Sequence, residues 1–356
     1  MHAMTVEHDS ANVALWYSRS SVPTPLGIAA QLGWLHDEFG AAAQSLQESG
    51  PSALRDAHMD HRLPNLLRQG GSVPALWARS RGADTRLVGL TWTDEFQVLL
   101  ALRETGIRRA RDLHGLRLGL PLRQEEGVDM ARATALRGYL NVLEHNGLNY
   151  REVDFVDVPA WPKALQSDER SDAFLDLPAG HLSNRDYVAD VHALLRKKVD
   201  VIYVKGVRGV EVTRLLGARA LIVADIGGDP DTRAQSNNAT PRPLTVSSAL
   251  LREQPDLVLR ALQRIHAVGA WAAAHPAAAL DLLGRETGAR AEWVSYAYGI
   301  DLHEHLYTDI SERALAGLED FKNFLFQWGF IPENFSVRQW LDPEPLARVA
   351  ELRKSA

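Results

Sequence analysis

The chain has no cysteine among its 356 residues, which excludes disulfides, thiolate metal sites and a thiol nucleophile. It has no run of about 18 apolar residues able to span a bilayer. Neither a GxGxxG pattern nor a P-loop is present, so no nucleotide cofactor is indicated. Met1 to Ser10 carry His2, Glu7, His8 and Asp9 in place of an apolar stretch, so a cytoplasmic location is expected. No internal repeat or low-complexity linker breaks the chain. A net charge of −6 argues against nucleic acid or anionic lipid as the main partner, because both demand concentrated Lys and Arg.

What is there is globular. Apolar residues make up 46% and charged residues 24%, and the length suits two α/β domains of about 100–200 residues each. Strand-like runs at Val13–Tyr17, Arg86–Leu90, Val98–Arg103, Leu116–Leu120, Glu152–Val158, Val199–Val204 and Ala220–Asp225 alternate with helical patterns. Such alternation predicts βαβ units and a mainly parallel sheet. A long helix is predicted through Asp129–Asn146, stopped at Asn146-Gly147, and the chain reads as almost wholly helical from Val246 onward. Thr93–Ala101 and Ile226–Thr245 bracket the middle portion and read as two crossings between domains. That division gives a discontinuous first domain, residues 1–97 and 228–356, and a second, residues 98–227, with a ligand cleft between them.

The most pointed local pattern is Trp16-Tyr17-Ser18-Arg19-Ser20-Ser21-Val22-Pro23, followed by His58, Arg68 and Gly70-Gly71. A buried strand ending in a loop of small hydroxyl residues is where α/β folds bind ligands. His58 and Arg68 add cationic or hydrogen-bonding groups, and the paired glycines let a backbone N–H approach an anion closely. Plainer readings exist for each. Ser20 and Ser21 can cap the helix starting near Pro23, Arg68 can pair with Asp60 at the surface, and His58 can simply pack. His58-Met59-Asp60-His61 also invites a metal reading, but the histidine pair lacks a third ligand, and the sequence supports no metal or cofactor. Trp16, Trp92 and Trp161 are available for an aromatic wall or for the core.

These residues, with Arg117-Leu118-Gly119, Val199-Asp200-Val201-Ile202-Tyr203, Thr245-Val246-Ser247-Ser248, Gln254-Pro255, Gly269-Ala270-Trp271-Ala272 and Gln339-Trp340, give the chain a resemblance to the 2′-hydroxybiphenyl-2-sulfinate desulfinases. The separation of His58 from Arg68 is its most specific part. The resemblance implies a two-lobed α/β fold of the type II periplasmic-binding-protein kind. It also implies a nucleophile position at Ser20, a polarising histidine at His58, a charge-holding arginine at Arg68 and an oxyanion donor in the Gly71 N–H. Ser20 stands where that family carries its cysteine, and Ser21 where it carries a proline.

The expected function is therefore a desulfinase-like hydrolase or lyase acting on a small organic anion, an aryl sulfinate or an aromatic or heterocyclic carboxylate. Ser20, His58 and Arg68 would do the chemistry, with Ser18, Ser21, Gly70, Gly71, Lys205 and Arg208 binding substrate. Lys205 and Arg208, following the strand that ends at Tyr203, would approach from the opposite wall. Two alternatives stay open: a non-catalytic solute-binding protein for a sulfonate or carboxylate, and a desulfinase inactivated by serine in place of cysteine. A monomer whose partner is a small anionic molecule is expected.

Overall fold

In the computed structural model of the protein, which describes residues 13–46, 57, 59–123, 127–160 and 187–354, the apolar run after Val13 forms strand β1 (Leu15–Ser18). The chain then turns into the helix Pro25–Gln31. Its cap is Thr24, whose Oγ1 accepts from the Gly27 N–H at 3.0 Å, so the capping role falls to neither Ser20 nor Ser21. Pro25 at the first helical position has no N–H to leave unsatisfied.

Nine more strands follow: β2 (Ala43–Leu46), β3 (Leu66–Gln69), β4 (Thr85–Thr91), β5 (Gln97–Leu102), β6 (Arg117–Leu122), β7 (Asp154–Pro159), β8 (Val201–Lys205), β9 (Ala220–Asp225) and β10 (Arg242–Ser247). They form two five-stranded sheets with orders β2-β1-β3-β10-β4 and β7-β6-β8-β5-β9. The two orders are the same pattern: in each sheet one strand follows directly on a crossing between sheets and runs against its neighbours. β10 is antiparallel to β3 and β4, and β5 is antiparallel to β8 and β9. The other pairings, β1 with β2 and β3 and β6 with β7 and β8, are parallel.

Both sheets are therefore mixed where the sequence predicts mainly parallel pairing. The reason is geometric. A strand entering a sheet from the opposite lobe starts at the cleft side, where the βαβ strands end, so it must run the other way. The same geometry points the carboxyl ends of the parallel strands in both sheets toward the cleft, the side on which open α/β sheets bind ligands.

The crossings are shorter than the sequence suggests, because Gln97–Leu102 and Arg242–Ser247 are already strands. The helix Met130–His145 matches its prediction, with Asp129 accepting from the Arg132 N–H at 2.9 Å. The helices Ser248–Glu253, Pro255–Ala274, Pro276–Thr287 and Glu312–Gln327 follow as read. One apolar cluster runs from Leu87 and Leu90 on β4 through Leu99 on β5 and Leu118 on β6 to Leu318, Phe321 and Leu325 on the helix Glu312–Gln327. Among the described residues no helix is long and apolar enough to cross a membrane.

Candidate functional site

Alternation along a strand decides what meets at the cleft end of the first sheet. Ser18 on β1 and Thr245 on β10 both lie in register with Arg68 on β3, so the three side chains share one face. Arg68 is 1% exposed, which removes the reading of a surface pair with Asp60; that carboxylate is held by Arg62 at 2.9 Å. Two residues on, Gly70 returns to the same face. A Cβ there would stand 2.8 Å from Ser20 Oγ and 3.8 Å from Arg68 Nη2. The serine hydroxyl and the guanidinium thus converge over a position that only glycine can occupy without displacing them.

Gly71 is crowded from the return crossing. Its Cβ would lie 2.7 Å from Asn238 Oδ1, which also accepts from the Val73 N–H at 3.0 Å. Ser20 is buried and Ser21 exposed, so the two neighbouring serines do not share an environment. Arg19 between them turns away to the Glu286 carboxylate, which Gln31 also contacts at 2.7 Å. This ties the loop carrying Ser20 to the helix Pro276–Thr287.

His58 lies outside the described residues. The imidazole set beside Arg68 in the described part is His61, which the sequence offered only as half of a metal pair. It is buried, takes a left-handed φ of 57° and places Nε2 3.1 Å from Thr245 Oγ1. Burial first, and then the Arg68 charge, pull its pKa down to about 3, so the ring is neutral at pH 7. Thr245 Oγ1 also donates to the Arg68 carbonyl at 3.4 Å. With that proton committed, Nε2 carries the ring proton and Nδ1 is a bare acceptor. Among the described residues, His61 Nδ1 and Ser18 Oγ have no hydrogen-bond partner.

The second lobe reaches the cluster through Lys205, the last residue of β8. Its ammonium is 2.8 Å from Glu95 Oε2 and donates to the Asn238 carbonyl, so it connects through Asn238 to Gly71. Burial lowers its pKa against the opposing pull of Glu95. Arg208, in the first turn of the next helix (Gly206–Leu216), contacts Glu211 at 3.1 Å and the Thr287 carbonyl at 3.0 Å. The structure thus brings Ser18, Ser20, Arg68, Gly70, Gly71 and Lys205 into one neighbourhood and turns the Arg208 guanidinium toward another.

Of the tryptophans, Trp16 packs with Leu46 and Leu66, Trp92 lies under the Arg313 guanidinium at 4.3 Å, and Trp161 lies outside the described residues. Asn238, Thr245 and His61 are the members of the site that the sequence did not announce. No local pattern marks them, because their roles arise from a crossing segment, a cross-strand register and a left-handed turn.

Two mixed sheets of identical strand order, with parallel strands ending at a shared cleft, define a two-lobed α/β protein of the type II periplasmic-binding-protein class. No protein-family model matches the chain. It is, however, 29% identical to the 2′-hydroxybiphenyl-2-sulfinate desulfinase of Rhodococcus erythropolis over 95% of this chain and 94% of that one. The resemblance read from the motifs therefore holds along nearly the whole length. Among solved structures, a cysteine-to-serine variant of DszB in complex with biphenyl-2-sulfinic acid matches with a TM-score of 0.70 at 25% identity, covering 95% of this chain and 98% of that one. The periplasmic aliphatic sulphonate binding protein SsuA from Escherichia coli matches with a TM-score of 0.63 at 13% identity, covering 93% and 92%, and shares the fold.

Proposed function

We propose that this protein binds a small organic anion, an aryl sulfinate or a carboxylate of similar shape, between two lobes and cleaves the carbon–sulfur bond of the sulfinate. We assign residues 1–97 with 228–356 to one lobe and 98–227 to the other. The observation that carries the reading is the meeting of the Arg68 guanidinium and the Ser20 hydroxyl over Gly70 at the cleft end of the first sheet. A buried guanidinium supplies charge-assisted hydrogen bonds to an oxyanion where water competes least. The names of its relatives support the same substrate class.

The reaction needs no redox partner: a sulfinate and water give the parent arene and hydrogensulfite. A proton adds to the ring carbon, the carbon–sulfur pair becomes the new carbon–hydrogen bond, and the departing sulfur dioxide takes up water. Arg68 would hold the sulfinate oxygens, the Gly71 N–H would add a donor, and Ser18 and Ser20 would orient the group. Ser20 Oγ stands at the position from which the resembled family delivers its chemistry, with His58 as the acid–base. A serine hydroxyl is far less acidic and less nucleophilic than a thiol, which favours a second reading, a non-catalytic binder of the same anion.

A sulfite-release assay with benzenesulfinate separates the two. The catalytic reading expects release by the wild type, more by Ser20→Cys and none above background by Ser20→Ala. Background release by both the wild type and Ser20→Cys, with binding retained, would replace it by the binding reading.

A further inference from the structure

The second wall of the cleft is built like an anion site and is filled by the protein's own carboxylate. Gly206, with φ +59°, opens the 11-residue helix Gly206–Leu216, and a helix N-terminus favours negative charge. Beside it stand the Lys205 ammonium, the Thr240 hydroxyl and the Arg242 guanidinium. What they surround is Glu95, from the outgoing crossing and 4% exposed. Its Oε2 lies 2.8 Å from Lys205 Nζ and accepts from Thr240 Oγ1 at 3.1 Å, and its Oε1 lies 3.0 Å from where a Gly206 Cβ would be. Arg242 is fully buried, its guanidinium 5.5 Å from the Tyr298 ring and donating to Thr93, so it is sealed from a ligand. Lys205 is the cation of this group that reaches the site, through Asn238 and Gly71, and Glu95 neutralises it.

We propose that Glu95 sets the charge specificity of the cleft: by occupying the second wall as a built-in carboxylate it leaves Arg68 to balance one negative charge, so the ligand is a monoanion whose head lies on the first lobe. This inference rests on the anion-binding reading of the cleft. A second carboxylate on the ligand would meet Glu95 across Lys205 and be repelled, and like charges brought together in a desolvated site oppose binding. Glu95 acts through Lys205 and is a specificity-determining residue rather than a catalytic one.

Titration calorimetry with benzoate and phthalate, one and two carboxylates on the same ring, tests the inference. The wild type is expected to favour benzoate, and Glu95→Gln to move the benzoate-to-phthalate affinity ratio toward phthalate by about tenfold or more. Lys205→Met, which keeps the carboxylate and removes its cation, is expected to move the ratio the other way, and it decides the matter if Glu95→Gln does not fold. A wild type that binds phthalate as tightly as benzoate, or a ratio unchanged in the folded variants, would overturn the role of Glu95 while leaving the anion cleft intact. A wild type that binds neither anion, nor benzenesulfinate, would overturn the cleft reading itself.

Discussion

At the residue scale the site depends on keeping one buried charge company with neutral neighbours. His61 illustrates the cost of doing so. Its folded pKa of about 3 lies below the ordinary 6.5, so above pH 6.5 the ring is neutral in both folded and unfolded chains and stability is full. As pH falls from 6.5 toward 3, the unfolded chain takes up a proton that the folded one refuses, and stability is lost with it; the ceiling is roughly 4 kcal/mol. Asp190 works in the opposite sense, because burial raises its pKa from 3.8 to about 6, so acidification across that window favours the folded state. His61→Gln isolates the histidine. Urea unfolding at pH 7, 6, 5 and 4 should show the wild type losing stability relative to the variant as pH drops, and parallel curves would refute the buried neutral ring. Ser20, Arg68 and the glycine pair were legible in the sequence because they sit close together in it. His61, Asn238 and Thr245 were not, since each acts through a partner far along the chain or a backbone turn with no residue signature.

At the scale of elements, strands with continuous apolar runs were readable, as β1, β6, β8 and β9 show. β3 and β10 were not. β3 has four residues with Arg68 and Gln69 inside it, and β10 opens with Arg242 and Pro243, a composition that resembles a turn until sheet neighbours supply the burial. The capping of the first helix is the clearest local correction, because three hydroxyl residues compete for it and the third, Thr24, holds it. Thr24→Ala should cost about 1 kcal/mol of stability, whereas Ser21→Ala, at an exposed position, should change it by less than about 0.5 kcal/mol. Equal losses in denaturant titrations of the two variants would show that the cap is shared.

At the scale of the whole molecule, the two sheets repeat one strand order, and each receives its reversed strand from a crossing. The apolar cluster that includes the helix Glu312–Gln327 joins the sheets away from the cleft. There Arg137, from the helix Met130–His145, pairs with Asp320, donates to the Arg233 carbonyl at 2.9 Å and lies 5.5 Å from the Phe324 ring. Trp328 meets Tyr150 edge-on at 5.5 Å. Two-lobed architecture was legible from strand alternation and from the motif resemblance. The mixed pairing was not, because the direction of a crossing strand is set by where the chain enters the sheet rather than by its own residues.

The account stands or falls on Arg68 as the holder of an organic anion in the cleft. Calorimetric titration of benzenesulfinate into the wild type and into Arg68→Ala, each with an unchanged far-ultraviolet circular dichroism spectrum, measures that directly. Binding by the wild type and a loss of about a hundredfold or more in Arg68→Ala is the predicted result; equal affinity in the two proteins would contradict it.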